Sequence, residues 1–526
     1  MSGLWYEDVR HHYAIVAVTE IRHVPRRRCR APCSSNDRSR CCAVALPHHL
    51  VPASCTRRTI MNSVPIGSVS AHLHERHDAV LDKLITFLRL PSVSTDPAYA
   101  QGMADTRAFL VDWLKGIGLA DVRLLDGGGQ PAVYGAWLGA PGAPTVIVYG
   151  HYDVQPPDPL KLWKTPPFEP TIRDGRLYAR GASDVKGATT IAIETVAGFL
   201  AVQGRCPVNI KLFIEGEEET GSPSLREIVQ RHGDLLQADG MISADGGRAS
   251  SALPTINLGT RGLSELELVV RTARKEVHSG DYGGAVRNAL HELAAIIASI
   301  HGDDGALVLP GFVDTAQPLS ERDRCDLAAF PFDEAGFVAD IGGISAGEQG
   351  YTMRERLTLR PAIDVNGMWG GYTGAGSKTV IPNEARAKIS IRLAPGQDTD
   401  QAERLFKDHV LRVARPGVKV HFRSLAPGSR AFSLAADHPL AQAGKTVLRT
   451  ITGREPLHVR LGATVPITTV FKEMLGLDTL MFGLNLPDED VHAPNEFFHV
   501  SSIALGLQAW SLLLQELARF APADFR

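Results

Sequence analysis

The chain has 526 residues, more than one ordinary hydrophobic core serves, so we expect two or more domains. Hydrophobic residues make up 44% and charged residues 21%, as in typical globular proteins, and the net charge of −3 gives no reason to expect nucleic acid as a partner. No apolar stretch approaches the roughly 20 residues of a membrane-spanning helix, so we predict no membrane partner either.

Residues 1–68 differ in composition from the rest of the chain. The stretch "RHVPRRRCRAPCSSNDRSRCC" is rich in Arg, Cys and Ser and has no apolar periodicity. This composition is typical of disorder, so we predict a disordered or wrongly started leader, with the natural start near Met61. An organellar transit peptide is the alternative, because the segment is rich in Arg and poor in acids.

The cysteines indicate a reducing compartment. Five of the seven lie in the leader, at spacings that do not match a zinc site. The remaining two, Cys206 and Cys325, are too few for a disulfide framework. We therefore predict a cytoplasmic protein.

Helical and strand patterns alternate over residues 69–262. Two amphipathic helices come first, in "AVLDKLITFLRLPSV" and "MADTRAFLVDWLKGIGL". Three continuous apolar strands follow, "TVIVYG", "NIKLFIEG" and "GMISAD", and the apolar helix "GATTIAIETVAGFLAV" separates the first two. This order predicts an α/β fold with a mostly parallel sheet that is covered by helices on both faces.

Residues 263–432 show another pattern. Alternating strands in "LSELELVVRT" and "ARAKISIRLAPG", with the helix "NALHELAAIIASIHG", predict a smaller α+β domain. In residues 433–526, helical and strand patterns alternate again, and the segment ends in the amphipathic helix "SIALGLQAWSLLLQELARF". The simplest organisation is one α/β domain built from residues 69–262 and 433–526, with the smaller domain inserted between them.

Titratable residues follow each apolar strand of the first segment. "VIVYGHYDVQP" runs from an apolar strand directly into His151 and Asp153. In open α/β sheets, functional groups collect at the carboxyl ends of the strands. The other residues in comparable positions are Asp184, Glu217, Glu218, Glu219, Asp245 and, far downstream in "LNLPDEDVHAPNE", His492.

Acids gathered at one edge of a sheet repel one another unless positive charge lies among them. Imidazole and carboxylate together suit zinc, with manganese or cobalt as alternatives, and two cations about 3.5–4 Å apart can promote hydrolysis. Each residue alone has an ordinary explanation, because a strand-end His is usually a surface group and acids favour helix starts. Their repetition after successive strands favours a two-cation site.

Four motifs, "GHYDVQP", "RGASDVKG", "EGEEETGS" and "SADGG", resemble in this order the dinuclear metallopeptidase family of aminoacylase, carboxypeptidase G and carnosinase. "GMWGGYTGAGSKTVIPNEARAKISIRLAPGQ" is similar to the carnosinase-type cytosolic non-specific dipeptidases of that family. The resemblance covers about residues 75–520. It implies a metal-dependent hydrolase that cleaves dipeptides or short peptides with a free C-terminus, and a homodimer in which the inserted domain is the lid and dimerisation domain.

The resemblance also implies the metal ligands. His151 and Asp245 would bind one cation. His492 and Glu219 would bind the other. Asp184 would bridge the two, because a carboxylate has two oxygens, and in the family a cis peptide bond often follows this Asp.

The same motifs imply the catalytic residues. Glu218 matches the general base, which takes a proton from the attacking water and passes it to the leaving amine. Asp153 would orient the ring of His151. Glu217 falls on the variable position of the acidic triplet, and a shift of one residue in the alignment would exchange the roles of its three members.

Four residues of the inserted domain and its neighbouring loops match substrate contacts. His278 corresponds to a residue that reaches the partner subunit's site and hydrogen-bonds the developing oxyanion, although a polar loop at a helix start is the alternative. Arg392 corresponds to the residue that grips the terminal carboxylate of the substrate. Thr379 and Thr464 are further candidates for substrate hydrogen bonds.

One loop departs from the dipeptidase pattern. "VRLGATVPIT" stands where that branch reads Arg-Glu-Gly-Gly-Ser-Ile-Pro, so that Leu461, Ala463 and Thr464 replace the Glu, the second Gly and the Ser. This leaves the side-chain preference of the substrate open. "GYTGAGSKT" resembles a phosphate-binding loop, but Ser377 interrupts the required Gly-Lys pair, which argues against nucleotide binding.

Two alternative functions are compatible with the sequence. An amidase of the same family, acting on an N-acyl amino acid or a succinylated diamine, would use the same chemistry in a different pocket. A non-catalytic binding protein that kept the fold is disfavoured, because Glu218 and Asp184 are both present.

Overall fold

The computed structural model describes residues 66–425 and 428–526. All of them belong to the unit Ser63–Arg526, since the chain divides after Asn62. The predictions on the leader, including its disorder, the start near Met61, the transit peptide and the five cysteines, lie outside the described residues. The first described helix begins at Ile66, so the predicted leader boundary at residue 68 falls inside this helix.

The helices are α1 (Ile66–Glu75), α2 (His77–Leu88), α3 (Ala100–Gly116), α4 (Gly187–Gln203), α5 (Leu225–Leu236), α6 (Ser279–Tyr282), α7 (Ala289–Ala298), α8 (Glu321–Ala329), α9 (Glu334–Ala339), α10 (Met353–Thr358), α11 (Thr399–Val413), α12 (Pro439–Thr452), α13 (Pro466–Leu475) and α14 (Ser501–Leu517). The strands are β1 (Arg123–Leu125), β2 (Ala132–Trp137), β3 (Thr145–His151), β4 (Thr171–Arg173), β5 (Arg176–Tyr178), β6 (Asn209–Glu215), β7 (Gly240–Ser243), β8 (Thr255–Thr260), β9 (Gly262–Arg271), β10 (Val277–His278), β11 (Ala362–Gly370), β12 (Val380–Ile381), β13 (Glu384–Leu393), β14 (Lys419–Ser424), β15 (Phe432–Ser433), β16 (Leu457–Leu461), β17 (Thr479–Met481) and β18 (Phe497–His499).

A nine-stranded sheet forms the larger part of the fold. Its order is β1-β2-β6-β3-β7-β17-β8-β15, and β16 pairs with β8. The central strands β6, β3, β7 and β17 are parallel, whereas β1 and β2 at one edge and β15 at the other pair antiparallel. The α/β class is confirmed, and the sheet is mixed because parallel pairing is concentrated at its centre.

The two faces of this sheet are buried in separate hydrophobic cores. Along β3, Val146 and Val148 lie in one core, and Ile147 and Tyr149 lie in the other. Successive side chains of a strand point to opposite faces, so helices on both sides require a continuous apolar strand. Helices α2, α4 and α14 contribute to the first core, and α5 and α13 contribute to the second.

A second sheet has the order β11-β13-β9-β14, and all of its pairs are antiparallel. Side chains of α7 and α11 pack on it in a third hydrophobic core. This confirms the predicted α+β arrangement of the middle of the chain. The boundaries at residues 263 and 432, and the role of this part as a lid and dimerisation domain, stay predictions.

One helical stretch, Ala182–Gln203, is long and apolar enough to cross a membrane on length and composition alone, although the sequence led us to expect none. Within its most apolar window, 78% of the residues are buried inside the fold. Helix α4 accounts for most of this stretch and packs between α1, α2 and α14, which is the position of a core helix.

Candidate metal centre

Strand β3 ends on His151, whose side chain is fully buried. Its Nδ1 lies 3.0 Å from the main-chain carbonyl oxygen of Asp153. A proton on Nδ1 that is donated to this carbonyl leaves the lone pair of Nε2 free. Nε2 faces Asp184 Oδ1 at 3.2 Å, so the ring presents a ligand atom to the acidic residues around it.

Asp184 lies between the two histidines. It belongs to the irregular turn Ala182–Lys186 that precedes α4, and the peptide bond between Asp184 and Val185 is cis, as expected. Its Oδ1 faces His151, and its Oδ2 lies 2.9 Å from His492 Nε2. Because each oxygen faces a different imidazole, this carboxylate could bridge two cations.

Glu219 joins the second histidine to this centre. The short turn Glu218–Thr220 follows β6, and Glu219 Oε2 lies 3.2 Å from His492 Nε2. Ligand atoms of His151, Asp184 and Glu219 all lie within 4.8 Å of one another. The His492 side chain is 53% exposed while that of Glu219 is 3% exposed, so the centre opens to solvent on the His492 side.

The other two members of the acidic triplet have different environments. Glu217 accepts hydrogen bonds from the main-chain N–H groups of Gln130 at 2.8 Å and Ser224 at 3.2 Å, so its carboxylate fixes the neighbouring loops. Burial raises the pKa of Glu218 well above its ordinary value, and nearby Asp245 adds to the rise. A carboxyl group with this environment is suited to accept a proton.

Asp245 follows β7 at the same edge of the sheet. Burial and the neighbouring charge of Asp184 raise the pKa of Asp245 to about 7. The position is the one that the order of the parallel strands predicts, because β7 lies next to β3.

The donor set fits divalent cations. The carboxylates of Asp184 and Glu219 contact the imidazoles, and those of Glu218 and Asp245 lie close enough to interact with them electrostatically. Burial opposes ionisation of Asp184, but its hydrogen bonds to the two histidines hold its pKa below the usual range. Such a concentration of acids is costly without added positive charge, and mixed nitrogen and oxygen ligands suit zinc and similar metals.

Asp153 contacts this centre in two places, at the ring of His151 and at the acidic turn that carries Glu218 and Glu219. Its carboxylate lies 3.6 Å from His151 Nδ1, while its main-chain carbonyl makes the closer contact. The carboxylate accepts hydrogen bonds from Ser94 Oγ at 2.7 Å and from the main-chain N–H groups of Glu218 at 3.2 Å and Glu219 at 3.1 Å. Asp153 therefore holds both the imidazole and the acidic turn.

Glu496, which the sequence analysis did not single out, holds the Asp184 turn. It is fully buried, and its carboxylate accepts hydrogen bonds from Arg180 Nη1 at 2.7 Å and from three main-chain N–H groups at 2.9, 2.9 and 3.0 Å, the last of them that of Asp184. Arg180 Nη2 donates to the carbonyl oxygen of His492 at 3.2 Å. The only signal in the sequence is that Glu496 ends the stretch "HAPNE".

The predicted substrate contacts form two separate pairs. His278 Nε2 lies 3.2 Å from Thr379 Oγ1, where β10 and β12 pair. Arg392 Nη1 donates to Thr464 Oγ1 at 3.0 Å. Within residues 66–425 and 428–526, no hydrogen bond joins either pair to the candidate metal ligands.

Comparison with known proteins gives consistent matches over most of the chain. Residues 147–516 match the family described as Peptidase family M20/M25/M40. The human protein Beta-Ala-His dipeptidase is 31% identical over 448 residues, which cover 81% of this chain and 87% of the relative. The Cys-Gly metallodipeptidase dug1 of Schizosaccharomyces pombe is 28% identical, over 86% of this chain and 98% of the relative.

Solved structures agree with this assignment. The crystal structure of human carnosine dipeptidase 1 superposes with a TM-score of 0.72 and 28% identity, covering 87% of this chain and 100% of the other. An M20 family metallo-carboxypeptidase from Sulfolobus solfataricus superposes with a TM-score of 0.74 and 30% identity, covering 84% and 99%. The extent of these matches shows that the chain belongs to the peptidase family M20/M25/M40.

Proposed function

We propose that this protein hydrolyses the amide bond of dipeptides, or of short peptides with a free C-terminus, in a metal-dependent reaction. The observation that carries the proposal is the carboxylate of Asp184, which has a histidine at each oxygen and interacts electrostatically with Glu218. Membership of a peptidase family supports it, as do relatives whose names describe dipeptidases.

Two divalent cations are the proposed cofactors, with zinc preferred and manganese or cobalt as alternatives. His151 and Asp245 would hold one, His492 and Glu219 would hold the other, and Asp184 would bridge them. Such a pair, when bound, polarises the scissile carbonyl and favours ionisation of the attacking water.

Glu218 is the proposed general base. It takes a proton from water as the water oxygen attacks the carbonyl carbon of the amide. It then gives this proton to the amide nitrogen as the carbon–nitrogen bond breaks, which yields a carboxylic acid and an amine. Burial favours this role because it raises the pKa of the carboxyl group, so that the protonated form can persist between the two transfers.

Asp153 and Glu496 are proposed positioning residues. Asp153 fixes the ring of His151 and the turn that carries Glu218. Glu496 and Arg180 together fix two loops whose ligands are 308 residues apart in sequence, since one binds the Asp184 turn and the other binds the carbonyl of His492. Such outer partners set the orientation of ligands and the affinity for the metal.

Arg392 and Thr464 are proposed to bind the terminal carboxylate of the substrate. The guanidinium group of Arg392 can bind the carboxylate through charge-assisted hydrogen bonds, and the Thr464 hydroxyl 3.0 Å away can join the contact by turning its proton from the carbonyl oxygen of Arg261 to the substrate. His278 and Thr379 are proposed to bind the carbonyl oxygen of the substrate in the site of a partner subunit.

A homodimer is part of this proposal. His278 is 59% exposed, which leaves it available to a second subunit. Strand β11 is an edge of the four-stranded sheet, and its side chains Val365, Met368 and Trp369 are 39–42% exposed. An apolar edge strand of this kind is suited to association with a second copy. We also propose a cytoplasmic location, in keeping with the free thiols of Cys206 and Cys325.

The Glu218→Gln variant tests the general base. We expect the kcat for dipeptide hydrolysis to fall by about 10²–10⁴-fold, because a neutral amide cannot accept the proton of water. Assays use protein reconstituted with zinc, manganese or cobalt, and cation content is measured on the same samples. The matched control is Glu217→Gln, which changes the neighbouring carboxylate that binds Gln130 and Ser224 and should lower kcat far less. Parental turnover by Glu218→Gln would refute the assignment.

The substrate panel in these assays separates the candidate functions. Dipeptides should be hydrolysed, and chelation should abolish the activity. Hydrolysis of N-acyl amino acids or succinylated diamines, with dipeptides left intact, would replace the dipeptidase by an amidase. Cation binding without hydrolysis of any of these compounds would favour a binding protein instead.

The Glu496→Gln variant tests the positioning network. We expect it to bind cations about 10–100-fold more weakly than the parent, since the Asp184 turn loses its charged acceptor. Isothermal titration of the metal-free protein with zinc gives the affinity. Asp488→Asn is the matched control, because Asp488 lies in the same loop but contacts His499 and Arg176 instead. Equal affinities of Glu496→Gln and the parent would show that the network does not act on the cations.

Complementation between two inactive variants tests the contribution of His278 across a dimer. Glu218→Gln and His278→Ala are each expected to be inactive, but a mixed dimer contains one site with an intact Glu218 and the partner's intact His278. Coexpression of the two chains in equal amounts should therefore restore about a quarter of parental sites, since half of random dimers are mixed and each has one complete site of two. Activity no higher than that of the separate variants, or a parent that elutes as a monomer, would contradict the proposal.

A further inference from the structure

A large cavity lies beside the second sheet, outside the candidate metal centre. Its volume is about 670 Å³, which is in the range of pockets that hold small-molecule ligands. It is lined by the chain from Phe337 to Glu348, by the chain from Met353 to Asp364, and by Arg261.

The cavity adjoins the Arg392–Thr464 pair through Arg261. Thr464 Oγ1 donates to the carbonyl oxygen of Arg261 at 2.8 Å, and Arg392 donates to the same Thr464 hydroxyl. Strand β11 gives a second connection, because Ala362 lines the cavity and pairs directly with Arg392 on β13. A substrate whose carboxylate is bound by Arg392 would therefore have its C-terminal residue beside the cavity.

Two arginines, Arg261 and Arg392, lie where the cavity adjoins the Arg392–Thr464 pair, and the nearby carboxylate of Asp364 acts on Arg261. Arg261 donates to the carbonyl oxygen of Gly462 at 2.9 Å and, at 3.4 Å, to those of Arg356 and Arg360. Among the described residues, neither Arg261 nor Arg392 forms an ion pair with a carboxylate. Burial, together with nearby Arg392, lowers the pKa of Arg261 to about 10. Two arginines with one nearby carboxylate leave room for a second negative charge, which an anionic group of the substrate would supply.

The mouth of the cavity is apolar. Ile341 and Ile344 line it and are 78% and 94% exposed, and Phe337 beside them is 45% exposed. Three large apolar side chains so close in sequence and so exposed are unusual on a surface without a binding function. They are suited to contact an apolar group that enters the cavity.

The loop that departs from the dipeptidase pattern, "VRLGATVPIT", packs against the wall of the cavity. Gly462 is so close to this wall that a Cβ atom there would lie 2.5 Å from the carbonyl oxygen of Leu357. The wall itself is held by Arg360, whose guanidinium group makes two hydrogen bonds of 2.7 Å to Glu348 and lies 4.3 Å from the ring centre of Tyr351. The altered loop thus meets a fixed wall at the place where the C-terminal residue would lie.

We propose that this cavity receives the side chain of the C-terminal residue of the substrate and makes the enzyme selective for large apolar residues at that position. The inference rests on the proposed dipeptidase function. The carboxylate would be held by Arg392 and Thr464, with Arg261 adding positive charge. The side chain, which is attached to the carbon next to that carboxylate, would enter the cavity and contact Ile341 and Ile344.

The test compares selectivity between Ala-Leu and Ala-Gly. We expect the parent to show a ratio of kcat/KM in favour of Ala-Leu, and Ile344→Asp to lower this ratio by about tenfold or more, as changes in an apolar pocket do. The ratio of Leu-Gly to Ala-Gly, which varies only the N-terminal residue, should stay as in the parent. Leu138→Asp is the matched control, because Leu138 is 59% exposed and does not line the cavity.

The possible outcomes separate this inference from the proposed function. If dipeptides are hydrolysed but Ile344→Asp keeps the parental Ala-Leu preference, the pocket assignment is wrong and the dipeptidase function stands. If Ile344→Asp changes the oligomeric state in size-exclusion chromatography and leaves the preference unaltered, the apolar mouth is a protein interface and the assignment is again wrong. If no dipeptide is hydrolysed by the reconstituted parent, both proposals fail.

Discussion

The candidate metal centre depends on how the negative charges of several neighbouring carboxylates are compensated. Asp184 lies between His151 and His492, and its oxygens face one imidazole each at 3.2 and 2.9 Å. Around it, burial and the neighbouring acids raise the pKa of Glu218 and of Asp245, so that ionising these carboxyl groups is costly without added positive charge. Divalent cations supply that charge, so the same excess of acid that would destabilise a metal-free fold defines a hydrolytic centre.

The topology of the large sheet explains why these residues meet. Parallel neighbours β6, β3 and β7 end at one edge, which brings the acidic turn after β6, His151 and Asp245 together. His492 comes from a distant part of the chain, and its loop is fixed by the short sheet β18-β5-β4 and by Arg180. Glu496 links the Asp184 turn to the His492 loop, because its carboxylate accepts hydrogen bonds both from the main-chain N–H of Asp184 and from Arg180.

The sequence was sufficient for features that depend on local pattern. Continuous apolar strands and intervening helices predict the buried α/β sheet, and the polar residues at the strand ends predict which side chains approach one another. Strands outside the parallel centre of the sheet, such as β2 and β8, were not predicted, because their pairing is decided by partners distant in the chain. The contacts of Glu496, and those of Asp153 with the N–H groups of the acidic turn, could not be predicted from the sequence, since a carboxylate that binds main-chain N–H groups has the same sequence signal as a solvated acid.

The cavity beside Arg261 was likewise not predictable from the sequence. Residues 303–361 carry three short helices, and neither apolar periodicity nor any motif indicates that they enclose a volume next to Arg392. The altered loop around Thr464 left the side-chain preference of the substrate open. What the loop touches could be read only from the packing of Gly462 against Leu357.

The most direct test of the central claim is the number of cations that the protein binds. Titration of metal-free protein with zinc, checked by elemental analysis after dialysis, should give two cations per chain in the parent and fewer than one in Asp184→Ala, because both sites share this carboxylate. Single replacement of Asp245 by Ala should remove one cation and leave the other. A parent that binds no cation, or an Asp184→Ala variant that keeps two with parental affinity, would contradict the account.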